Sequence, residues 1–288
     1  ILGNSIKWAF IQKRIYASYC LSMDKYHRNT LNGGDKMESV KLVRLNKANI
    51  DDTGCYCLRS KQNSQGYIDK NNWLKERFRE GLNYIKIMED NKQAGFIEYA
   101  PIEYSSRVVY GENYVVIHCL WVNITGKGYA TKLINQCIQD AKEQKKSGVI
   151  VVTNQDTSWT PGKDVFLKHN FLEVDHAPYG FELLVHKFEK AADPFFPSNW
   201  DERLEGFTKL TIVRTKQCPF IDIATDNVLE AAKKLGLEAN IIDMKTREEL
   251  LRLSPTPYGV YGVIFKNKLV SFHRLTAHSA SKRLKQLI

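Results

Sequence analysis

The stretch from Asn113 to Asn154 constrains the fold more than any other part of the chain. "NYVVIHCLWV" (113–122) is nearly all apolar, as a strand buried on both faces should be. Two glycines one residue apart follow in Thr125-Gly126-Lys127-Gly128-Tyr129-Ala130. Ala130, Leu133, Ile134, Cys137, Ile138 and Ala141 then recur at helical spacing, giving an amphipathic helix that stops at Ser147-Gly148. "VIVVTN" (149–154) is a second buried strand. Strand, glycine turn, helix and strand make one βαβ unit with parallel strands. Such a turn serves two ends. Glycine lets backbone approach a ligand, and a helix start offers unpaired N–H groups and partial positive charge, which suits phosphate. It also serves as a tight connection needing positive φ.

Antiparallel strands precede this unit: "VKLVRLNK" (40–47), "NYIKIMED" (83–90) and "AGFIEYAPIEY" (94–104), with a helix at "NNWLKERFREGL" (71–82). "KDVFLKHNF" (163–171) is expected as a short helix and "YGFELLVHKF" (179–188) as a last strand. The 288 residues, 43 % of them hydrophobic, suffice for one large or two ordinary domains. No apolar run is long enough to span a membrane. The net charge of +10 comes from 42 Lys and Arg scattered among 32 Asp and Glu. That pattern fits a solvated surface favouring anionic ligands, and no nucleic-acid or membrane partner is expected.

The order of elements and the glycine turn resemble the GNAT acetyltransferase superfamily, whose pyrophosphate loop reads Gln/Arg-x-x-Gly-x-Gly/Ala. Thr125 takes the first position, Gly128 the fourth and Ala130 the sixth. The resemblance covers roughly residues 40 to 190. It implies a mixed α/β sheet with flanking helices and acetyl-CoA as co-substrate. Leu120, Trp121 and Val122 would lie along the cofactor. Thr125, Gly126, Lys127, Gly128, Tyr129, Ala130 and Thr131 would hold pyrophosphate, and Asn154 the pantetheine side. Thr125 departs from Gln/Arg, which removes a side-chain contact and leaves the backbone cradle. The family's tyrosine acid falls on Phe166, which has no proton to give. Catalytic candidates are therefore His118 and Glu98 from the central strands and Tyr129 from the turn, with Glu103 and Tyr104 near them. A histidine in an apolar strand is, however, more often a hydrogen-bonded core residue, and His118 is open to that reading. Trp159 and Tyr179 either line the acceptor site or pack.

"EKAADPFFPSNWDE" (189–202) reads as a linker. Beyond it come a strand at 209–215, helix at 225–237, strand at 239–244, helix at 246–253 with a Thr246/Glu249 capping box, hairpin at 261–275 and helix at 279–288. This βαβαββα order is thioredoxin-like, with Pro257 as cis-proline candidate. "WLKERFREGL", "CLWV…GKGYA", "QCPF" and "TPYGVY" together resemble GNAT acetyltransferases carrying a YoaP-like C-terminal domain. The expected division is a transferase domain at 37–190, a linker at 191–205 and the YoaP-like domain at 206–288.

The six cysteines include no CxxC pair, so a reducing cytoplasm is expected and no metal site. Cys218 occupies the redox-motif position alone, near a helix start and Lys216, an arrangement that favours thiolate. Monothiol redox chemistry, a substrate-binding thiol and a fold-only role remain open for it. Cys55-Tyr56-Cys57 is a C-x-C expected on a loop as surface thiols; metal or metalloid binding is the alternative, with no further ligand cluster beside it. Residues 1–36 hold six Lys or Arg against two Asp and end in "NGGDK" before Met37. That run back-translates to a purine-rich ribosome-binding sequence, so residues 1–36 are expected to be translated upstream sequence; a basic targeting segment is the alternative. The function expected is an N-acetyltransferase acting on a small-molecule or peptide amine. The alternative is a non-catalytic CoA-binding or thiol-sensing protein.

Overall fold

The computed structural model describes residues 39–157 and 159–288. The expectation for residues 1–36 lies outside the described residues.

The fold is mixed α/β. The first sheet has seven strands in the order β1-β2-β3-β4-β5-β7-β6: β1 (Val40–Leu45), β2 (Asn83–Glu89), β3 (Lys92–Pro101), β4 (Tyr114–Val122), β5 (Gly148–Asn154), β6 (Leu172–Ala177) and β7 (Phe181–Lys187). Only β4 and β5 run parallel; the other pairs are antiparallel. Short α1 (Ile50–Thr53) and the 13-residue α2 (Gln65–Arg77) lead into β2. The 15-residue α3 (Tyr129–Glu143) connects β4 to β5, and α4 (Lys163–Leu167) follows β5. The apolar stripe of α3 buries Leu133, Ile134, Cys137 and Ala141 against Ile97, Val115, Ile117, Val149 and Val151.

The second sheet has the order β11-β10-β8-β9, with β8 (Leu210–Arg214) parallel to β9 (Ala239–Asp243) and antiparallel to β10 (Tyr261–Phe265), which pairs with β11 (Lys268–Ser271). Helices α5 (Ile221–Lys234), α6 (Arg247–Leu253) and α7 (Ala277–Lys285) complete the expected βαβαββα order. The capping box forms as read: Thr246 accepts from the Glu249 N–H, and the Glu249 side chain from the Thr246 N–H.

The two sheets share one contiguous core, in which Val116, Ile150, Val152 and Phe181 join Ile212, Val213, Tyr261 and Ile264. Segment 191–205 is fastened to it. Phe196 and Trp200 are buried, and Phe195 and Tyr110 exchange backbone hydrogen bonds of 2.9 and 2.8 Å. Three local readings differ. Helix α5 begins at Ile221, four residues before its expected start, and inside it the Thr225 hydroxyl donates to the Ile221 carbonyl. Strand β6 was not foreseen, because as a solvent-facing edge it carries Glu173, Asp175 and His176. Among the described residues no peptide bond is cis, which corrects Pro257. Gly259 turns the chain there at φ +73°, so a trans imide suffices.

Candidate functional site

Strands β4 and β5 pair only from Tyr114↔Gly148 to Ile117↔Val151. Beyond that point β4 continues to Val122 without β5, while β5 stays paired with β7 to Asn154. The strands diverge, and the far half of β4 presents backbone on its β5 side. Leu120, Trp121 and Val122 occupy this arm. His118 is a bulge at the vertex: Glu98 pairs Cys119 and Tyr99 pairs Ile117, leaving His118 no partner on β3.

The exposed turn from Asn123 to Gly128 ends the arm. Gly126 (φ +85°) and Gly128 (φ +70°, the cap of α3) take left-handed conformations, and a Cβ on either would meet nothing within 4 Å. The start of a 15-residue helix thus faces open space lined by backbone. These features fit a phosphate-bearing ligand: the N–H donors of a helix start, the helix dipole and room for close approach. Thr125, Lys127, Ala130 and Thr131 flank the turn, as read from the sequence. Lys127 pairs with Glu89, and Thr131 Oγ1 lies 3.3 Å from His169 Nε2. Asn154 is correctly at the end of β5, but its amide is committed to shaping a turn. It donates to the Tyr179 carbonyl at 2.8 Å and accepts from the Asp156 N–H at 2.9 Å.

The three catalytic candidates do not converge. Tyr129 lies in the α3-side core and its hydroxyl donates to Glu89. His118 and Glu98 meet on the opposite face, His118 Nδ1 lying 3.1 Å from Glu98 Oε1. His118 Nε2 accepts from the Ser106 N–H at 3.1 Å, so Nδ1 carries the proton that Glu98 accepts. Glu98 also pairs with Lys70 of α2 and accepts from Gln217 Nε2 at 2.8 Å. Burial alone would raise the Glu98 pKa, but Lys70 and His118 bring it down to about 2. Burial lowers His118 to about 4, against the pull of Glu98. His118 is thus neutral at pH 7, 1 % exposed, and a weak base. The core-histidine alternative describes it better than the general-base one. Glu103 and Tyr104 lie beyond β3, and Tyr104 is exposed.

This face of the first sheet is covered by the second. Arg247 donates to the carbonyls of Ser105, Arg107 and Val109 at 2.6, 3.0 and 2.8 Å. The Val108 N–H donates to the Pro257 carbonyl at 3.1 Å, and Lys216 pairs with Asp69 of α2. A Cβ on Gly66 would collide with the Pro219 carbonyl. Gln217 therefore reaches Glu98 from across the sheets. No pattern in the sequence could announce that contact, nor that Lys70 of an exposed-looking helix is buried.

Cys218 is half-buried; burial pushes its thiol up to about 11 and Lys216 is turned to Asp69, so the surroundings do not favour the thiolate that its helix start suggests. The C-x-C cysteines are corrected: they lie on a loop, but Cys55 is buried, its thiol pushed up to about 12, and Cys57 is driven up by burial. Cys119 likewise stands near 12. Phe166 is fully buried, edge-on to Phe171 at 5.3 Å. Trp159 sits edge-on to Tyr258 at 6.3 Å, and Tyr179 is exposed. Among the described residues no group of three or more His, Cys, Asp or Glu could hold a metal, and no helix is long and apolar enough to cross a membrane.

The acetyltransferase (GNAT) family model matches residues 53–159. The uncharacterized N-acetyltransferase YoaP of Bacillus subtilis (strain 168) is 30% identical over 251 residues, covering 85% of this chain and 98% of its own. Among solved structures, the PaiA N-acetyltransferase of Thermoplasma acidophilum, in complex with coenzyme A, aligns over 52% of this chain and 99% of its own at 15% identity and a TM-score of 0.36. The ribosomal-protein-alanine N-acetyltransferase of Brucella melitensis aligns over 51% and 99% at 14% identity and a TM-score of 0.39.

Proposed function

The chain belongs to the GNAT acetyltransferase family, and on that premise we propose that it transfers the acetyl group of acetyl-CoA directly to an amine. The observation that carries this reading is the pair of left-handed glycines opening α3 beside the arm of β4 from which β5 has parted. The pyrophosphate sits over the backbone of Gly126 to Ala130, where N–H groups and the helix dipole meet its charge. The pantetheine arm runs along Leu120–Val122. Asn154 shapes the opposite wall through its hold on the Tyr179 carbonyl.

The chemistry asked of the protein is modest. A neutral amine attacks the thioester carbonyl, the C–S bond breaks and CoA leaves. Holding the two reactants in contact supplies much of the rate. His118 and Glu98 brace the bulge rather than shuttle protons, because one is a weak base and the other a fixed, paired carboxylate. Residues 37–190 carry the transferase, 191–205 the connection, and 206–288 a thioredoxin-like unit that walls the acceptor side. The protein acts in the cytoplasm on a small-molecule or peptide amine.

The test is release of free CoA from acetyl-CoA by purified protein against a panel of small amines and peptides, with product masses read alongside. Steady-state release with a mass gain of one acetyl group on an amine supports the transferase. Tight CoA binding with no turnover on any acceptor favours a non-catalytic CoA-binding protein instead.

A further inference from the structure

We propose that Cys119 of β4 and Cys218 of the second sheet unit together form a two-thiolate site for a soft monovalent ion of the copper(I) kind. The site is separate from the cofactor path, and the proposal does not rest on the acetyl-CoA reading.

Both cysteines flank Glu98. Cys119 is its partner in the β3–β4 register, and directly opposed residues of an antiparallel pair share a face of the sheet. That face is turned away from α3: Cys119 packs against the cluster of Leu74, Tyr84 and Phe96, as does Cys57. Cys218 comes from the other unit. Its neighbour Gln217 donates to Glu98 Oε1 at 2.8 Å, and the carbonyl of Pro219 stands where a Cβ on Gly66 of α2 would be. The electrostatics agree with this placement. After burial, Glu98 and Cys218 raise the Cys119 thiol, and Cys119 and Cys218 raise that of Cys57. Sulfurs from three separate parts of the chain thus lie within electrostatic reach of one another.

The charges around the pair do not cancel. Lys70 and Glu98 pair with each other, and His118 is neutral at pH 7. Arg107 is left over. Its guanidinium is buried, donates to the Ser106 and His118 carbonyls, and makes no ion pair among the described residues. Both Cys119 and Cys218 are within reach of its charge. A buried charge is costly unless an opposite one meets it. One monovalent cation between two thiolates carries a single net negative charge, which is the charge that Arg107 lacks.

Thiolates select soft ions such as copper(I). A linear site needs two ligands, fewer than the three-residue groups lacking among the described residues. The Phe220 N–H is hydrogen-bonded to the Cys218 sulfur, a contact that favours thiolate and orients a sulfur ligand. Cys119 and Cys218 are half-buried, whereas Cys55 and Cys137 are buried. A cleft between α2 and the start of α5, lined by Gly66, Asp69, Arg214, Lys216, Cys218 and Asp222, gives an ion its way in. Binding exchanges protons for metal. Each thiol gives its proton to water as its S–Cu bond forms, and the copper stays monovalent, so nothing is oxidised or reduced.

The test is anaerobic titration of the full-length protein with copper(I) held by the chromophoric chelator bicinchoninate. One equivalent should pass from chelator to protein. Because two thiol protons are displaced, the affinity should rise about 100-fold per pH unit near neutrality. Cys119→Ser and Cys218→Ser should each weaken it at least ~10³-fold, more than the loss of an outer-shell partner, with an unchanged far-ultraviolet spectrum. Cys137→Ala, in the α3-side core, should change it less than about threefold. X-ray absorption of the wild type with one equivalent bound decides the matter should a variant misfold: two sulfur neighbours on copper and no nitrogen are expected. A third sulfur or any nitrogen overturns the proposal, as does tight binding that survives in Cys218→Ser. No transfer from the chelator overturns it outright. Uptake of several equivalents, each held no better than by free glutathione, means an adventitious ion only and overturns it as well.

Discussion

At the level of single residues, the buried pair His118–Glu98 makes stability depend on pH in a definite direction. His118 titrates near 4 in the folded chain against its ordinary 6.5. Between those values the unfolded chain binds a proton that the folded chain refuses, so stability is full above 6.5 and falls as pH drops toward 4. Glu98, lowered to about 2 from 4.5, extends the loss below that window. The His118 shift alone corresponds to about 3 kcal/mol across the window. Urea unfolding at pH 7.5 and pH 5 should show a drop of about 2 kcal/mol, much reduced in His118→Asn; equal stabilities at the two pH values would contradict the assignment. The cysteines give a second residue-scale prediction. Cys55 and Cys137 are buried and should resist iodoacetamide at neutral pH until the protein is denatured, while half-buried Cys57, Cys119 and Cys218, their thiols also raised by burial, should label only slowly. Rapid labelling of Cys218 in the native protein would restore the reactive-thiol reading. The sequence placed Cys218 correctly after its strand; what it could not reveal was the other unit's α2 lying over it.

Among the elements, β4, the glycine turn, α3 and β5 were legible because each carries a strong period and a turn residue with a mechanism. The divergence of β4 from β5 was not, since pairing is a property of two strands and His118 shows no local sign of being the bulge. Helix α2 was placed six residues late, because Trp73, Leu74 and Phe78 dominate its apolar pattern while its first turn, Gly66 and Tyr67, packs on the second unit. Gly66 makes that packing testable. In a free helix Gly→Ala stabilises by up to about 1 kcal/mol. Here the new methyl would strike the Pro219 carbonyl. Gly66→Ala should therefore destabilise, by roughly 1–3 kcal/mol, with the overpacking of a close contact as the cause. A rise in thermal midpoint would show that α2 and the Pro219 loop do not touch.

For the whole molecule, the two sheets share one core and are joined by Arg247, whose guanidinium, driven down to about 10 by burial, satisfies three carbonyls of the 105–109 segment. Removing it takes the Arg247 donor from the Ser105 and Val109 carbonyls, while the Arg107 carbonyl keeps the Val109 N–H at 3.1 Å. Arg247→Ala should cost about 2–4 kcal/mol and split a single unfolding transition into two. One unchanged transition would mean that the clamp contributes little. The βαβαββα order of the second unit was readable from its sequence; its position over the vertex was not, because Gln217, Arg247 and Tyr258 make their contacts across 119 to 151 residues of chain or through Arg107. All of this serves one claim, that the glycine turn before α3 holds the pyrophosphate of acetyl-CoA. Calorimetry of acetyl-CoA with the wild type and with Gly128→Asp tests it most directly. Asp at this position adds a carboxylate to open space at a helix start, where anionic phosphate is placed, and leaves the core untouched. The account predicts saturable binding by the wild type and at least ~100-fold weaker binding by Gly128→Asp with an unchanged far-ultraviolet spectrum; equal affinities would contradict it.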